Sequence, residues 1–335
     1  MTQETEQFDI IVVGAGPAGL SVGVAARQAG LNCAIFDKGC VTQSIALYPT
    51  YGHFFSTPDR LELGNVPFLT QTDKPTRREA LKYYRRIVQH FDLDVRQYHE
   101  VTSVCREDHT FTVHSRAVHG ATEARHQAHD IVIASGYAGS PNLLGIPGEE
   151  LSKVSHYYHE AHPYFDQDVV VVGAGNSAVE AALDLYRAGA RVSLVHFLDH
   201  LDAGVKPWVL PDITNRLKNG EIHARWHTRL AEVRPGSVLL RNESSGETEE
   251  IHNDFVLAMT GYRANRSTLQ ALGVSIEPRT GIPGHDPDTM ETDVPGVFIA
   301  GVMAAGDRPD KIFIETGRLH GPWIVDAILR RDGKR

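Results

Sequence analysis

Cysteine is scarce in this sequence, and the three that it holds form no CxxC pair: Cys33, Cys40 and Cys105. An odd number without such a pair excludes a disulfide-stapled framework and a cysteine-based zinc knuckle. We expect Cys33 and Cys105 to pack in the core. Cys40 follows a buried strand and is the candidate for a redox-active thiol, with a partly buried structural cysteine as the competing interpretation.

Positive charge and long apolar runs are also lacking. The 33 Lys and Arg residues are outnumbered by 42 Asp and Glu residues, and the net charge of −9 argues against nucleic acid or an anionic membrane as the partner. No apolar run approaches the ~20 residues needed to span a bilayer. The polar start "MTQETEQ" is unlike a signal peptide. We therefore expect a cytoplasmic protein whose partners are small molecules or other proteins.

What the sequence does contain is a repeated glycine-rich segment. "DIIVVGAGPAG" starts at Asp9 and "DVVVVGAGNSA" at Asp168, and residues 9–37 align with 168–196 without a gap. Each copy opens with a β-branched run typical of a buried parallel strand, turns into a helix and ends in a second apolar run. The pattern predicts an α/β protein with two Rossmann-like dinucleotide-binding domains.

The chemistry of each copy is set by its turn and by the end of its second strand. The glycines let the backbone approach a pyrophosphate, whose charge faces a helix N-terminus. One such loop is weak evidence, but two in register predict two dinucleotide sites. Asp37 can accept hydrogen bonds from a ribose diol. The equivalent His196 no longer repels a ribose 2′-phosphate, so the second site admits NADPH, with Arg191 and Lys206 as nearby candidate cations.

Two further strand-and-turn patterns indicate that the domains are interleaved. "DIVIASGYAGSPN" (130–142) and "DFVLAMTGYRAN" (254–265) bracket the second repeat. We expect a discontinuous first domain, made of residues 1–140 and 262–335, and a second domain of residues 141–261.

The end of the chain is expected to return to the first nucleotide. Residues 292–307 predict a strand and a glycine-rich turn, and residues 311–320 predict a helix. Because Pro322 breaks a continuous helix, a kink or a new start is expected at His320-Gly321.

These residues resemble the low-molecular-weight thioredoxin reductases, a flavoprotein family, over nearly the whole chain. The strings "SHYYHEAHPYF", "KPWVLPDI" and "IFIETGRLHG" are most similar to its bacillithiol disulfide reductase branch. The resemblance implies FAD in the first site, NADPH in the second with NADH also admissible, and a homodimer. It further implies hydride transfer from nicotinamide to flavin and then to a small disulfide.

The sequence departs from that family at four places. No CxxC precedes the second glycine loop, Ala18 stands where the branch commonly has cysteine, "VHFLDH" lacks the usual NADPH-side arginines, and Gly301-Val302 replaces a Gly-Asp pair. Alternatives therefore stay open: a ferredoxin- or flavodoxin-linked reductase that serves a small electron-transfer protein, a flavin monooxygenase, for which the FxGxxxH pattern is missing, or a redox-inactive nucleotide-binding regulator. The segment "QSIALYP" (43–49) is also similar to the flavin-contacting loop of thioredoxin-reductase-like ferredoxin–NADP reductases, where Gln43 and Tyr48 would touch FAD.

The predicted site residues follow from the loops and from the resemblance. The predicted FAD-binding residues are Gly14, Gly16, Pro17, Ala18, Gly19, Asp37, Lys38, Gln43, Ser44, Tyr48, Val101, Ser135, Gly136, Gly301, Lys311 and Ile312. The predicted NAD(P)H-binding residues are Gly173, Gly175, Asn176, Ser177, Ala178, His196, Lys206 and Gly261. The candidate catalytic residues are Cys40, Lys311, whose cation would stabilise a reduced flavin, and His320, which is either a proton donor or a helix C-cap.

Histidines are numerous but predict no metal site. One group shares a spacing of three residues and alternates with tyrosines, which favours a nicotinamide-side or interdomain surface over metal ligation; it comprises His156, His159 and His162. A second group falls in a polar, hairpin-like segment and is expected to face solvent; it comprises His114, His119, His126 and His129.

Overall fold

A computed structural model describes residues 5–120, 122–137, 139–308 and 311–334. The chain divides into two compact units. The first unit comprises residues 1–46, 52–140 and 263–335, and the second comprises residues 47–51 and 141–262.

The described residues form strands and helices with the following bounds. The strands are β1 (Glu6–Val13), β2 (Cys33–Asp37), β3 (Asp94–Gln97), β4 (His99–Glu107), β5 (Thr110–Ala117), β6 (Glu123–Ile133), β7 (Val154–Ser155), β8 (Asp168–Val172), β9 (Arg191–Val195), β10 (His223–Arg225), β11 (Thr228–Arg234), β12 (Ser237–Asn242), β13 (Thr248–His252), β14 (Phe255–Ala258) and β15 (Val297–Ile299). The helices are α1 (Pro17–Gln28), α2 (Gln43–Ala46), α3 (Arg77–His90), α4 (Asn176–Arg187), α5 (Leu210–Lys218), α6 (Ser267–Ala271), α7 (Ile314–Gly317) and α8 (His320–Arg331).

A seven-stranded sheet organises the first unit, in the order β3-β2-β1-β6-β5-β4, with β15 also paired to β6. The long strand β6 pairs with two strands along the same edge. Its residues 123–128 pair antiparallel with β5, and its residues 131–133 pair parallel with β15. Ile10, Ile11 and Val12 are fully buried in succession, as a parallel strand covered on both faces requires. Because β1, β2, β6 and β15 run parallel, their carboxyl ends meet at one edge of the sheet.

The second unit repeats this plan on a smaller scale. A five-stranded parallel sheet runs in the order β10-β9-β8-β14-β7, and β11, β12 and β13 form a separate antiparallel sheet. Val169 to Val172 are all buried, and α4 lies against β8 and β9. The carboxyl ends of β8, β9 and β14 again share one edge.

The predicted helix over 311–320 is wrong for most of its length. Helix α7 covers Ile314–Gly317 alone, and α8 begins at His320. This confirms the expected new start before Pro322. A helix running through Pro322 would set its ring against the carbonyl of Arg318, whereas in the first turn of α8 its missing N–H costs nothing.

Two expectations about burial are also wrong, and strand alternation explains both. On β4 the side chain of Val104 faces the core, so Cys105, its neighbour, is exposed rather than packed. On β6 His126 faces inward and is 3% exposed, with its ring nitrogens 3.0 Å from Ser115 Oγ and 3.0 Å from Glu6 Oε2. The other three histidines of that group are exposed as expected.

Among the helices of the described residues, none combines the length and the apolar character that crossing a membrane demands.

Candidate functional site

The first glycine loop joins β1 to α1 at the shared strand edge. Gly14 has φ +114°, and a Cβ there would lie 2.4 Å from the Ala134 carbonyl oxygen, so glycine is required. The Gly14 N–H donates to Phe36 O at 2.7 Å. These contacts hold the loop against the ends of β2 and β6.

Helix α1 presents uncapped amides at this loop. Gly16 is its N-cap, Pro17, Ala18 and Gly19 form its first turn, and no side chain of the described residues caps it. A Cβ at Gly16 would meet no described atom within 4 Å, so the backbone faces open space. Unpaired N–H groups and the helix dipole together suit the pyrophosphate of a dinucleotide.

Asp37, at the end of β2, joins the first glycine loop to the turn that follows β2. Its carboxylate accepts hydrogen bonds from the Ala15 N–H at 2.7 Å and from the Gly39 N–H at 2.7 Å. Burial raises the pKa of this carboxyl, and the two N–H groups oppose that rise. Each carboxylate oxygen keeps a further lone pair with which to accept a ribose hydroxyl.

The ends of β6 and β15 complete the same edge. Ala134 N donates to Val13 O at 2.8 Å, and Ala300 N donates to Ile133 O at 3.0 Å. These bonds bring Ser135 and Gly136 to the edge, together with Gly301, where a Cβ would lie 2.8 Å from the Ala18 Cβ.

His320 lies against this edge, and of the two roles expected of it the structure excludes that of a helix C-cap. It begins α8 and so is no C-cap, and its Nδ1 accepts the Gly301 N–H at 3.1 Å, which leaves the ring proton on Nε2. Its ring stacks on Trp323 with centroids 5.4 Å apart. Burial and the nearby His285 lower the pKa of His320 to about 4, so the ring is neutral at pH 7 and is no imidazolium acid.

Cys40 lies in the loop after Asp37 and is held as a thiol. Its Sγ donates to Gln43 Oε1 at 3.0 Å, and burial raises its pKa. Ser44 follows Gln43 in the short helix α2. The Lys38 side chain runs beside Gly139, where a Cβ would lie 3.5 Å from Lys38 Cε.

The remaining predicted FAD residues lie farther along the chain. Lys311 is exposed and precedes α7 instead of beginning the last helix, and Ile312 packs partly against the core. Val101 lies on β4, opposite Ser115. Tyr48 belongs to the segment that groups with the second unit. The roles assigned to these four residues stay predictions.

The second glycine loop has the geometry of the first. Gly173 has φ +120°, and a Cβ there would lie 2.4 Å from the Met259 carbonyl oxygen. Gly175 is the N-cap of α4, whose first turn holds Asn176, Ser177 and Ala178 and receives no side-chain cap from the described residues. Gly261, with φ +81°, follows β14 at the same edge.

Asn176 ties the loop after β9 onto this turn. Its Nδ2 donates to Gly204 O at 2.8 Å, and its Oδ1 accepts the Lys206 N–H at 2.9 Å. Asp202 N donates to Ala174 O at 3.1 Å. Asp202 was missed at the sequence level, although the acidic run "LDHLD" directly after the second strand was a usable signal.

His196 and Arg191 lie at opposite ends of the β9 segment. The His196 side chain is 4% exposed, and its burial is the main cause of its lowered pKa. Arg191 bonds Asp168 at 3.0 Å and also pairs with Asp166. Five residues of strand place it roughly 16 Å from His196, so Arg191 is wrong as a phosphate ligand.

Within the described part of the chain, the three histidines spaced by three residues belong to no group that could hold a metal ion. His156 Nε2 lies 3.3 Å from Glu149 Oε1, and His159 and His162 are exposed. Among the described residues, one group has metal-ligating atoms close together, namely Asp168, His252 and Asp254. Asp168 is already hydrogen-bonded to Arg191.

Comparison with known proteins identifies the family. The model of the pyridine nucleotide-disulphide oxidoreductases matches residues 11–301. This chain belongs to that family. It is 41% identical to bacilliredoxin reductase Bdr of Bacillus subtilis, over 97% of this chain and 99% of the relative. The structure of bacillithiol disulfide reductase Bdr from Bacillus cereus matches with a TM-score of 0.93 and 39% identity, over 97% of this chain and 100% of that one. The Staphylococcus aureus enzyme matches with a TM-score of 0.90 and 37% identity, over 98% and 99% of the two chains.

Membership and geometry together define the activity. The thioredoxin-reductase-like fold class is confirmed. The structure of T. acidophilum thioredoxin reductase matches with a TM-score of 0.73 and 20% identity, over 98% of this chain and 100% of that one. The protein is an FAD-dependent pyridine nucleotide oxidoreductase, and its cofactors are FAD and NAD(P)H. Two uncapped helix N-termini beside glycine turns, one of them with a partly buried carboxylate, fit these two dinucleotides.

Proposed function

We propose that this protein reduces a small disulfide of the bacillithiol type, either free or attached to a small carrier protein, at the expense of NAD(P)H. The supporting observation is the end-to-end similarity to a bacilliredoxin reductase and to two bacillithiol disulfide reductases. Overall, one NAD(P)H and one proton convert one disulfide into two thiols and one NAD(P)⁺, so two electrons are transferred.

The chain's own residues bind and orient the reactants in this proposal. When bound, FAD accepts a hydride from the nicotinamide and passes the two electrons onward. Uncapped α1 and Asp37 hold the flavin dinucleotide, and uncapped α4 holds the pyridine nucleotide. The neutral His320 fixes the Gly301 turn through its Nδ1 and retains a proton on Nε2.

Cys33 and Cys40 take no part in the proposed transfer. All three cysteines are free, and the sequence has no CxxC pair. Thiol–disulfide exchange needs a thiolate, whereas burial raises the pKa of the Cys40 thiol above its ordinary value. Burial also raises the pKa of the Cys33 thiol, to about 12. The substrate disulfide is therefore reduced without a mixed disulfide on Cys40, and the catalytic role predicted for Cys40 is not part of the proposal.

Anaerobic stopped-flow spectroscopy tests the substrate. The FAD-loaded enzyme is reduced with one equivalent of NAD(P)H and then mixed with bacillithiol disulfide, glutathione disulfide, ferredoxin or flavodoxin. We expect rapid return of the oxidised flavin band with bacillithiol disulfide, and an unchanged rate in a Cys40→Ser variant. Reoxidation by ferredoxin or flavodoxin alone would contradict the disulfide assignment and favour the electron-transfer-protein alternative, which the missing CxxC also permits.

The homodimer and the cytoplasmic location expected from the sequence remain predictions. Light scattering of the FAD-loaded protein at several concentrations tests the homodimer.

A further inference from the structure

The loop after β9 places a carboxylate beside the second glycine turn. Asp202 is anchored by its N–H, which donates to Ala174 O at 3.1 Å. Its Oδ2 lies 3.1 Å from the point that a Cβ on Gly175 would occupy, and Gly175 is the N-cap of α4. The side chain is 47% exposed and therefore open to a ligand. A negative charge is thus fixed at the turn that receives the dinucleotide.

A buried and unpartnered ring nitrogen lies next to that carboxylate. His196 follows the last residue of β9, and its Nε2 has no hydrogen-bond partner among the described residues. This nitrogen lies 3.6 Å from Asp202 Oδ1. Burial lowers the pKa of His196. Asp202 opposes that shift while His200 and Arg229 add to it, and the net shift is downward, so the ring is neutral at pH 7. A neutral imidazole can hydrogen-bond a ribose hydroxyl but cannot neutralise a phosphate.

The arginines near the end of β9 already have carboxylate partners. Arg229 bonds Glu243 at 3.0 Å and lies 4.5 Å from the Phe197 ring centroid. Arg225 bonds Glu249 at 2.7 Å.

The loop itself offers a 2′-phosphate little positive charge. Between His196 and Lys206 its formally charged residues are both aspartates, Asp199 and Asp202. Lys206, the predicted phosphate ligand, lies near Glu180: burial raises the pKa of that carboxyl, and the charge of Lys206 opposes the rise. A ribose 2′-phosphate is ordinarily bound by arginine or lysine, and here it would meet aspartate instead.

We propose that this site selects NADH over NADPH, and that Asp202 is the residue that sets the preference. Asp202 accepts hydrogen bonds from the adenosine ribose diol and repels a 2′-phosphate, and His196 supports the diol from beside it. The inference rests on the oxidation of a pyridine nucleotide in the proposed function, and it does not depend on which disulfide is reduced.

Two measurements on the FAD-loaded wild-type protein test the preference. Anaerobic bleaching of the flavin band gives the rate of reduction by each nucleotide, and calorimetry gives the affinity for ADP-ribose and for 2′-phospho-ADP-ribose, which undergo no redox chemistry. We expect NADH and ADP-ribose to be favoured by roughly tenfold or more, since unfavourable charge contacts of this kind cost a ligand at least a decade in affinity. A preference for NADPH and the phosphorylated fragment would overturn the proposal.

Variants locate the preference in one residue. Asp202→Asn should lower the preference several-fold in both measurements, and Asp202→Glu should retain it. Glu247→Gln removes the same charge from the turn before β13 and is the matched control, so it should leave the preference unchanged. An unchanged preference in Asp202→Asn, or an equal loss in Glu247→Gln, would overturn the role of Asp202. Because only flavin reduction and binding are measured, failure of bacillithiol disulfide as the oxidant would contradict the proposed function and leave this result intact.

Discussion

Replacing Asp37 by Asn should weaken FAD binding without unfolding the protein. The wild-type carboxylate accepts two N–H groups at 2.7 Å, from Ala15 in the glycine loop and from Gly39 in the following turn. The side-chain amide of the Asn variant has one acceptor oxygen, which can accept only one of the two backbone N–H groups. Its NH₂ group faces the second backbone N–H, so one charge-assisted hydrogen bond is lost. Such a bond contributes about 1.5–3 kcal/mol. Since that bond orders the loop proposed to bind FAD, we expect the FAD dissociation constant to rise roughly 10- to 100-fold.

The assay is titration of the apoprotein with FAD, followed by quenching of flavin fluorescence. Asp9→Asn is the matched control, because Asp9 also accepts a backbone N–H, that of Asn32 at 2.8 Å, but does so away from the loop. We expect Asp9→Asn to lower the urea midpoint and to leave FAD affinity unchanged. The reasoning is refuted if the FAD dissociation constant of Asp37→Asn lies within about twofold of the wild-type value, because a loss of 1.4 kcal/mol corresponds to about a tenfold change. It is also refuted if both variants lose FAD affinity equally.

Three further predictions follow from the same geometry. Gly175→Val should block pyridine nucleotide binding and spare FAD binding, because even the valine Cβ would lie 3.1 Å from Asp202 Oδ2. Titrations with FAD and with a pyridine nucleotide measure the two affinities, and an equal loss of FAD affinity would contradict the assignment of the loops. Acidification should destabilise the fold through His320, whose pKa falls from 6.5 to about 4 in the folded state. The unfolded chain binds this proton first, so about 3 kcal/mol of stability is lost as the pH falls from 6.5 to 4, and urea curves of His320→Gln should lack that slope. Iodoacetamide should alkylate exposed Cys105 well before Cys33, whose pKa is raised to about 12, as peptide mass spectrometry would show; faster labelling of Cys33 would contradict its burial.

Much of the fold could be predicted because its signals are local. The β-branched runs at Ile10 and Val169 and the turns at Gly14 and Gly173 each lie within a dozen residues, and the structure places them as buried strands and glycine turns. The break before Pro322 was equally local, since proline acts on the residues next to it. Errors arose where the direction of a side chain mattered. Cys105 and His126 were assigned to the wrong environments because a single strand residue can face either side of a sheet.

The candidate site was less accessible to sequence reasoning. Arg191 and Asp202 lie at similar distances along the chain from His196, yet β9 carries Arg191 away while the following loop folds Asp202 back onto Ala174. No periodicity distinguishes those two outcomes. The protonation of His320 was equally hidden, because it depends on burial and on His285, which is remote in sequence.

The sequence by itself determined that two strand–turn–helix units exist, that each can receive a dinucleotide, and that no CxxC pair serves the flavin. These properties depend on residue type and short spacing, through the φ preference of glycine, the β-branched runs and the placement of cysteine. Only the tertiary structure decided which charges lie at each glycine loop and which histidines stay neutral. Those properties depend on desolvation and on contacts between distant segments, because a carboxylate or an imidazole acquires its working charge from what is packed around it.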